Sequence, residues 1–169
     1  MTLLRSRKNL KSKNTEPLTS AQLYHYALRL LTGRDYSVAR LRQKLAAREA
    51  AEGDLEDVIL RLQREGWVDD VRYAARFAES ALSSGRFYGA RLRMEMRRRG
   101  FTADVVNETL APLLAESDEI SEVRSATERR YPGFSYSAAG DRDKRRVVGF
   151  LQRRGFGFSA IMQALRAEE

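Results

Sequence analysis

The chain has 169 residues, 43% hydrophobic and 32% charged, which suits one domain or a few small modules in a row. Its formal net charge of +8 favours an acidic partner, such as nucleic acid, an anionic membrane or an acidic protein surface. The lack of cysteine excludes a disulfide framework and a thiolate metal site. No apolar run approaches the about 20 residues of a membrane span. No apolar segment follows the basic N-terminus either, so we expect a cytoplasmic protein without a membrane role.

The N-terminal region is basic, and the first helix follows it. Residues 1–18 show no helical periodicity, which predicts a flexible basic arm. Thr19 and Gln22 have the spacing of a capping box at a helix start, and Gly33 is the expected end of that helix. Ser37 is the expected cap of the second helix.

The third and fourth helices are predicted from glycines and acidic caps. Asp54, directly after a glycine, is the expected start of the third helix, and Gly66 is its expected end. Asp69 and Asp70 follow, and either carboxylate can cap the fourth helix and complement its positive N-terminal end.

The fifth helix, within residues 86–101, is the most basic stretch of the chain. Gly100 can take the left-handed conformation that ends a helix, which lets Phe101 pack back on Met96. The arginines of this stretch lie on two flanks of the apolar seam. One flank carries Arg93 and Arg97, the other Arg91 and Arg98, and Arg99 closes the last turn.

Four further helices are predicted beyond this point. Thr102 is the expected cap of the sixth, and Pro112 should kink it or end it early. The seventh should begin near Ser117, and residues 132–140 form the one long loop. The eighth should end at Gly155, before a short ninth helix. No segment shows the sustained alternation of apolar and polar residues that is typical of a β-strand, so the predicted fold class is all-α.

The helix pattern repeats along the chain. A shift of 55 residues places Leu92 on Val147, and a shift of 51 in the other direction places Leu92 on Leu41. The pattern therefore predicts three tandem three-helix, helix-turn-helix-like repeats that form an elongated, curved solenoid. The predicted divisions are the arm 1–18 and repeats 19–67, 68–115 and 116–169.

Few residues in this chain have the pattern of a catalytic site. The single histidine, His25, has no acidic residue at ligand spacing. A metal-dependent nuclease site at Asp69 and Asp70 is an open but weaker interpretation, since capping explains both residues. We therefore predict a binding protein that is not an enzyme and has no catalytic residue, cofactor or metal ion.

Three segments together resemble the RecX family, the regulatory proteins of the RecA recombinase. They are residues 26–45, 66–74 and 91–101. The most specific piece is the run around Asp69, Asp70, Arg72 and Tyr73, and residues 153–161 agree with it. Residues 94 and 96 depart from the pattern, because methionines stand where family members usually have aliphatic residues.

The resemblance implies a protein that binds the RecA–DNA filament and inhibits its ATPase, co-protease and strand-exchange activities. The expected partners are the RecA filament and, more weakly, single-stranded and double-stranded DNA, and the protein is expected to be a monomer. The alternative is a helical module that binds DNA directly, without a recombinase. The predicted contact residues are Arg72, Arg91, Arg93, Arg97, Arg98, Arg153 and Arg154.

Overall fold

The computed structural model describes residues 18–48 and 52–167, and within these ranges the regular structure is entirely α-helical. The helices are α1 (Ser20–Gly33), α2 (Val38–Ala46), α3 (Glu52–Arg64), α4 (Asp70–Ser83), α5 (Gly89–Arg98), α6 (Ala103–Glu116), α7 (Glu119–Arg130), α8 (Asp141–Arg154) and α9 (Phe158–Arg166). The predicted all-α class is confirmed. Residues 1–17 of the predicted basic arm lie outside the described ranges.

The helices pack in consecutive groups of three, each around its own apolar core. In the first group α1 and α2 pack on α3, in the second α4 packs on α5 and α6, and in the third α7 packs on α8 and α9. Leu41, Leu92 and Leu151 are fully buried, one in each core. The predicted three-helix repeats are thus confirmed, while their residue boundaries stay a prediction.

Four of the nine described helices begin at a predicted side-chain cap. The Thr19 hydroxyl accepts from the Gln22 amide, and the Gln22 side chain accepts from the Thr19 N–H, which completes the capping box. The Ser37 and Thr102 hydroxyls accept from the Arg40 N–H and the Val105 N–H and so cap α2 and α6. Each cap satisfies an amide that has no partner within its own helix.

Glycines in the left-handed conformation close the basic helices. Gly100 has φ +89° and Gly155 has φ +104°. The Phe101 N–H donates to the Met96 carbonyl at 3.4 Å, and the buried phenyl ring packs on the core, as the motif predicts. At the end of α3 the backbone pattern is the same, but Trp67 is 49% exposed.

The structure shifts two of the predicted helix starts and contradicts an early end of α6 at Pro112. Helix α3 begins at Glu52 and not at Asp54. Its first turn includes Gly53, because a glycine there breaks no hydrogen bond of the helix and costs only modest stability. Pro112 does not end α6, which continues to Glu116. Helix α7 begins at Glu119, because Asp118 and not Ser117 accepts the bond from its first turn.

No helix in the described ranges is long and apolar enough to span a membrane.

Candidate partner-binding arginines and the repeat joints

The arginines of α5 surround a buried seam. Leu92 and Met96 are fully buried against the second core. Arg93 lies on one flank, exposed, and donates to the Asn107 side chain of α6 at 2.5 Å. Arg97 is also exposed and donates to the Phe101 carbonyl at 3.2 Å. This flank therefore presents two cations that are held in place by neutral acceptors.

The other flank of α5 is organised by a buried carboxylate. The Glu95 side chain is 12% exposed and lies 2.8 Å from the Arg91 guanidinium, 3.4 Å from Arg98 and 3.5 Å from Arg99. The Arg99 guanidinium also lies 3.9 Å from the centre of the Phe77 ring. Glu95 is not among the residues that the sequence analysis predicts as functional. Its spacing of three and four residues from these arginines was the signal.

The remaining predicted contact residues lie at other helix ends. Arg72, in the first turn of α4, is exposed and donates to the Gly66 carbonyl at 2.7 Å. Arg153 is exposed near the end of α8. Arg154 is half-buried and donates to the Arg86 carbonyl at 3.0 Å, with its guanidinium over the Phe150 ring.

The pKa of Arg154 reflects its position between two repeats. Burial lowers the pKa of its guanidinium, and the positive charges of Arg86 and Arg130 lower this pKa further. The predicted residues thus divide into exposed cations and internally bound ones, and Arg91 and Arg154 belong to the bound group.

The joint between the first and second repeats consists of two helix ends. At the start of α2, the Ser37 hydroxyl donates to the Arg99 carbonyl, and Arg40 donates to the Arg98 carbonyl. The Val38 N–H donates to the Asp70 carboxylate at 2.8 Å. Burial raises the pKa of this carboxyl. The N-terminus of α2 is therefore seated on the C-terminus of α5 and the start of α4.

The joint between the second and third repeats has the same arrangement. The Tyr88 N–H, at the start of α5, donates to the Arg154 carbonyl at 2.8 Å. The Tyr88 ring stacks on Phe156 with a centroid distance of 4.9 Å, and its hydroxyl lies 2.7 Å from the Ser117 hydroxyl. The second helix of each repeat thus places its positive N-terminus against the negative C-terminus of the second helix in the next repeat. This holds for α2 on α5 and for α5 on α8, and it is electrostatically favourable.

The two adjacent aspartates have separate structural roles. Asp69 accepts from the Arg72 N–H and caps α4, whereas Asp70 caps α2 of the preceding repeat. The sequence allowed either residue to cap α4, and a cap across the joint was missed because it depends on tertiary contact. Among the described residues no group of three potential metal ligands is present.

Family models and individual relatives match this chain. The model of the first three-helix domain of RecX matches residues 24–62, and that of the third matches residues 117–165. A protein named regulatory protein RecX from Trichlorobacter lovleyi is 45% identical over 140 residues, which are 83% of this chain and 91% of the relative. The Syntrophotalea carbinolica protein of the same name is 32% identical over 84% of this chain and 93% of its own length.

Solved structures show the same fold. The crystal structure of RecX from Lactobacillus salivarius superposes with a TM-score of 0.70 at 16% identity, over 88% of this chain and 95% of that one. The relatives are named for regulation and not for catalysis, in agreement with the prediction of a non-enzymatic protein. The identities and coverage show that this chain belongs to the RecX family of regulatory proteins.

Proposed function

We propose that this protein binds the RecA–DNA filament and inhibits its ATPase, co-protease and strand-exchange activities. Membership of the RecX family, with 45% identity over most of the chain, is the observation that carries the proposal. The net charge of +8 supports it, since a filament of protein on DNA presents phosphates and acidic side chains.

The direct contacts of the proposed interface come from exposed arginines. Arg98 is 63% exposed, and Arg93 and Arg97 project from the other flank of α5. Arg72 and Arg153 are exposed on neighbouring repeats. Guanidinium groups form bidentate, charge-assisted hydrogen bonds with phosphate or carboxylate, so each can contact DNA or an acidic protein surface.

The two internally bound arginines act differently in the proposed interface. Arg91 is paired with Glu95, and Arg154 is bound to backbone carbonyls at the second joint. The Arg91 ion pair lies within α5, whereas Arg154 connects the third repeat to the second, so that the exposed cations face the partner with a fixed spacing. A preorganised surface loses less conformational entropy on binding than a flexible one.

A triple variant tests the interface. Replacing Arg93, Arg97 and Arg98 together by Ala should preserve the helical circular dichroism spectrum and weaken inhibition of DNA-dependent ATP hydrolysis by RecA by about tenfold or more. The control carries the same charge change at exposed arginines elsewhere. This control variant replaces the exposed residues Arg29, Arg64 and Arg124 by Ala. It should inhibit RecA as strongly as the wild type does.

Two outcomes would contradict the proposal. Equal inhibition by the triple variant and the wild type would remove α5 from the interface. Wild-type binding to naked DNA with no effect on recombinase ATPase would favour the alternative, a DNA-binding module that acts without a recombinase.

A further inference from the structure

An apolar groove with acidic residues lies between α4 and α6 of the second repeat. It encloses about 280 Å³, and its α4 wall consists of Val71, Ala75 and Glu79. Its α6 wall consists of Val105, Glu108, Thr109, Pro112 and Leu113. The charged residues of this lining are thus two glutamates, in a protein whose net charge is +8. The groove therefore differs in charge from the arginine-rich surface of α5.

The apolar part of the groove is exposed to solvent. Val71, in the first turn of α4, is 61% exposed, which is the largest exposure among the large apolar side chains that the structure describes. Val105 and Leu113 are half-buried on the opposite wall. Exposed apolar surface with a polar rim is typical of a docking site.

The polar part of the groove consists of hydrogen-bond acceptors. Among the described residues, neither Glu79 nor Glu108 forms an ion pair. Pro112 lies inside α6 and has no N–H, so the Glu108 carbonyl receives no hydrogen bond from the residue one turn later. These acceptors favour a segment that carries positively charged donors.

The N-terminal segment of this chain, residues 1–17, has the complementary composition. It contains five cations and one acid, Glu16. The cations are Arg5, Arg7, Lys8, Lys11 and Lys13. Large apolar side chains lie among them, at Met1, Leu3, Leu4 and Leu10. A basic segment with apolar residues complements an apolar groove whose charged residues are acidic.

The groove is within reach of the N-terminal segment. Tyr24, in the second turn of α1, donates to Glu65 just after the end of α3, so the start of α1 lies beside that end. Six residues of chain lead from Glu65 to Val71, which is at most about 22 Å. An extended segment of 17 residues spans about 55 Å, so the N-terminal segment can cover this distance and follow the groove.

The grooves of the first repeat repel the N-terminal segment by their charge. The groove beside Leu18 includes Arg29 and Arg48 in its lining and no acidic residue. The groove at the first joint is lined by four arginines and a lysine, with a single aspartate. Like charges repel, so the acidic groove of the second repeat is the better site for a basic segment.

We propose that residues 1–17 bind the groove between α4 and α6 of the same chain. Apolar side chains of the segment contact Val71 and Leu113, and its cations contact Glu79 and Glu108. The bound segment crosses from the first repeat onto the second and ties the two together. The proposal depends on the groove and on the composition of the segment, and it does not depend on the proposed function.

Paramagnetic relaxation in the full-length protein tests this contact. Because the chain has no cysteine, Ser6→Cys provides a single site for a nitroxide label. Backbone amide signals are compared by NMR before and after chemical reduction of the nitroxide. We expect the label to cause a loss of signal at residues 71–79 and 105–113, and little loss in α9. The same loss should be absent when labelled protein without isotope is mixed with unlabelled ¹⁵N protein.

A charge variant tests the acidic residues of the groove. Glu79→Gln combined with Glu108→Gln should reduce the relaxation effect in the groove by about threefold or more, because exposed ion pairs contribute up to about 1 kcal/mol each. The control, Asp57→Asn combined with Glu128→Gln, makes the same change of net charge at exposed positions outside the groove and should have little effect.

An apolar variant tests the other half of the contact. Val71→Ser should also reduce the relaxation effect, and the exposure of Val71 means that the core is left intact. Met94→Ser is the control, since Met94 is an exposed apolar residue of α5 outside the groove. Far-ultraviolet circular dichroism checks that all four variants stay folded.

Three results would overturn the proposal. They are the absence of signal loss in the groove, equal effects of each variant and its control, and signal loss in the mixed sample. The last result would assign the groove to the N-terminal segment of a second copy. No recombinase is present in these measurements, so a failure to inhibit RecA would contradict the proposed function and leave the groove proposal standing.

Discussion

Replacing Gly155 by Ala tests whether the repeats are joined as described. A Cβ at this position would clash with the Tyr88 carbonyl oxygen and would lie 2.6 Å from the Arg91 Cβ. Tyr88 is the N-cap residue of α5 and Arg91 lies in its first turn, so neither can move without opening the joint. The backbone conformation, with φ +104°, is also unfavourable for alanine.

The expected loss of stability has two parts. Placing alanine in a left-handed conformation costs about 1–2 kcal/mol. Forcing extra volume into a packed contact costs about 1–3 kcal/mol more. Gly66→Ala is the matched control, because Gly66 has φ +75° and nothing within 4 Å of its Cβ position. The control should lose only the first part.

Urea denaturation followed by far-ultraviolet circular dichroism measures both losses. Gly155→Ala should be less stable than Gly66→Ala by about 1–3 kcal/mol. In a chain of this size the corresponding difference in Tm is about 2–12 °C. Equal stabilities of the two variants would show that the α5 turn does not pack against Gly155, and would refute the joint.

Substitutions of the buried Glu95 and of the half-buried Asp70 test the roles of these two carboxylates. Glu95→Gln should destabilise the fold by about 1–3 kcal/mol in urea denaturation, because it removes the counter-charge of Arg91, whereas Glu56→Gln on the surface should cost less. A larger loss of stability in Glu56→Gln than in Glu95→Gln would contradict this interpretation. Asp70→Ala should cost about 0.5–2 kcal/mol by removing the acceptor of the Val38 N–H, and Asp70→Asn should retain that acceptor. Because the pKa of Asp70 is raised in the folded state, its contribution to stability falls as pH rises from its ordinary value of 3.8 through the raised value, and Asp70→Asn should remove this component of the pH profile.

Local signals in the sequence were sufficient for several of the helix ends. The Thr19 capping box and the Gly100 stop are formed by residues within a few positions of each other, so their geometry follows from residue type. The 51- and 55-residue shifts predicted the three-helix repeats, because each repeat needs apolar residues at the same positions to build its core. The start of α7 lies two residues beyond Ser117, because the adjacent Ser117 and Asp118 could both serve as the cap.

The joints could not be predicted from the sequence. Asp70 caps a helix of the preceding repeat, 32 residues away, and no local pattern indicates that choice. The sequence placed the arginines of α5 on two flanks, but it did not show that the two flanks differ in how their arginines are bound. The burial of Glu95 divides them, since it binds Arg91 internally while Arg93 stays exposed. That burial depends on how α5 packs on its neighbours.

The most direct test of the proposed function is a titration of RecA with this protein on single-stranded DNA, with ATP hydrolysis as the readout. The proposal predicts that the rate falls as the protein is added, and that the variant lacking Arg93, Arg97 and Arg98 requires a higher concentration for the same effect. A rate unchanged at every concentration of the folded wild-type protein would contradict it.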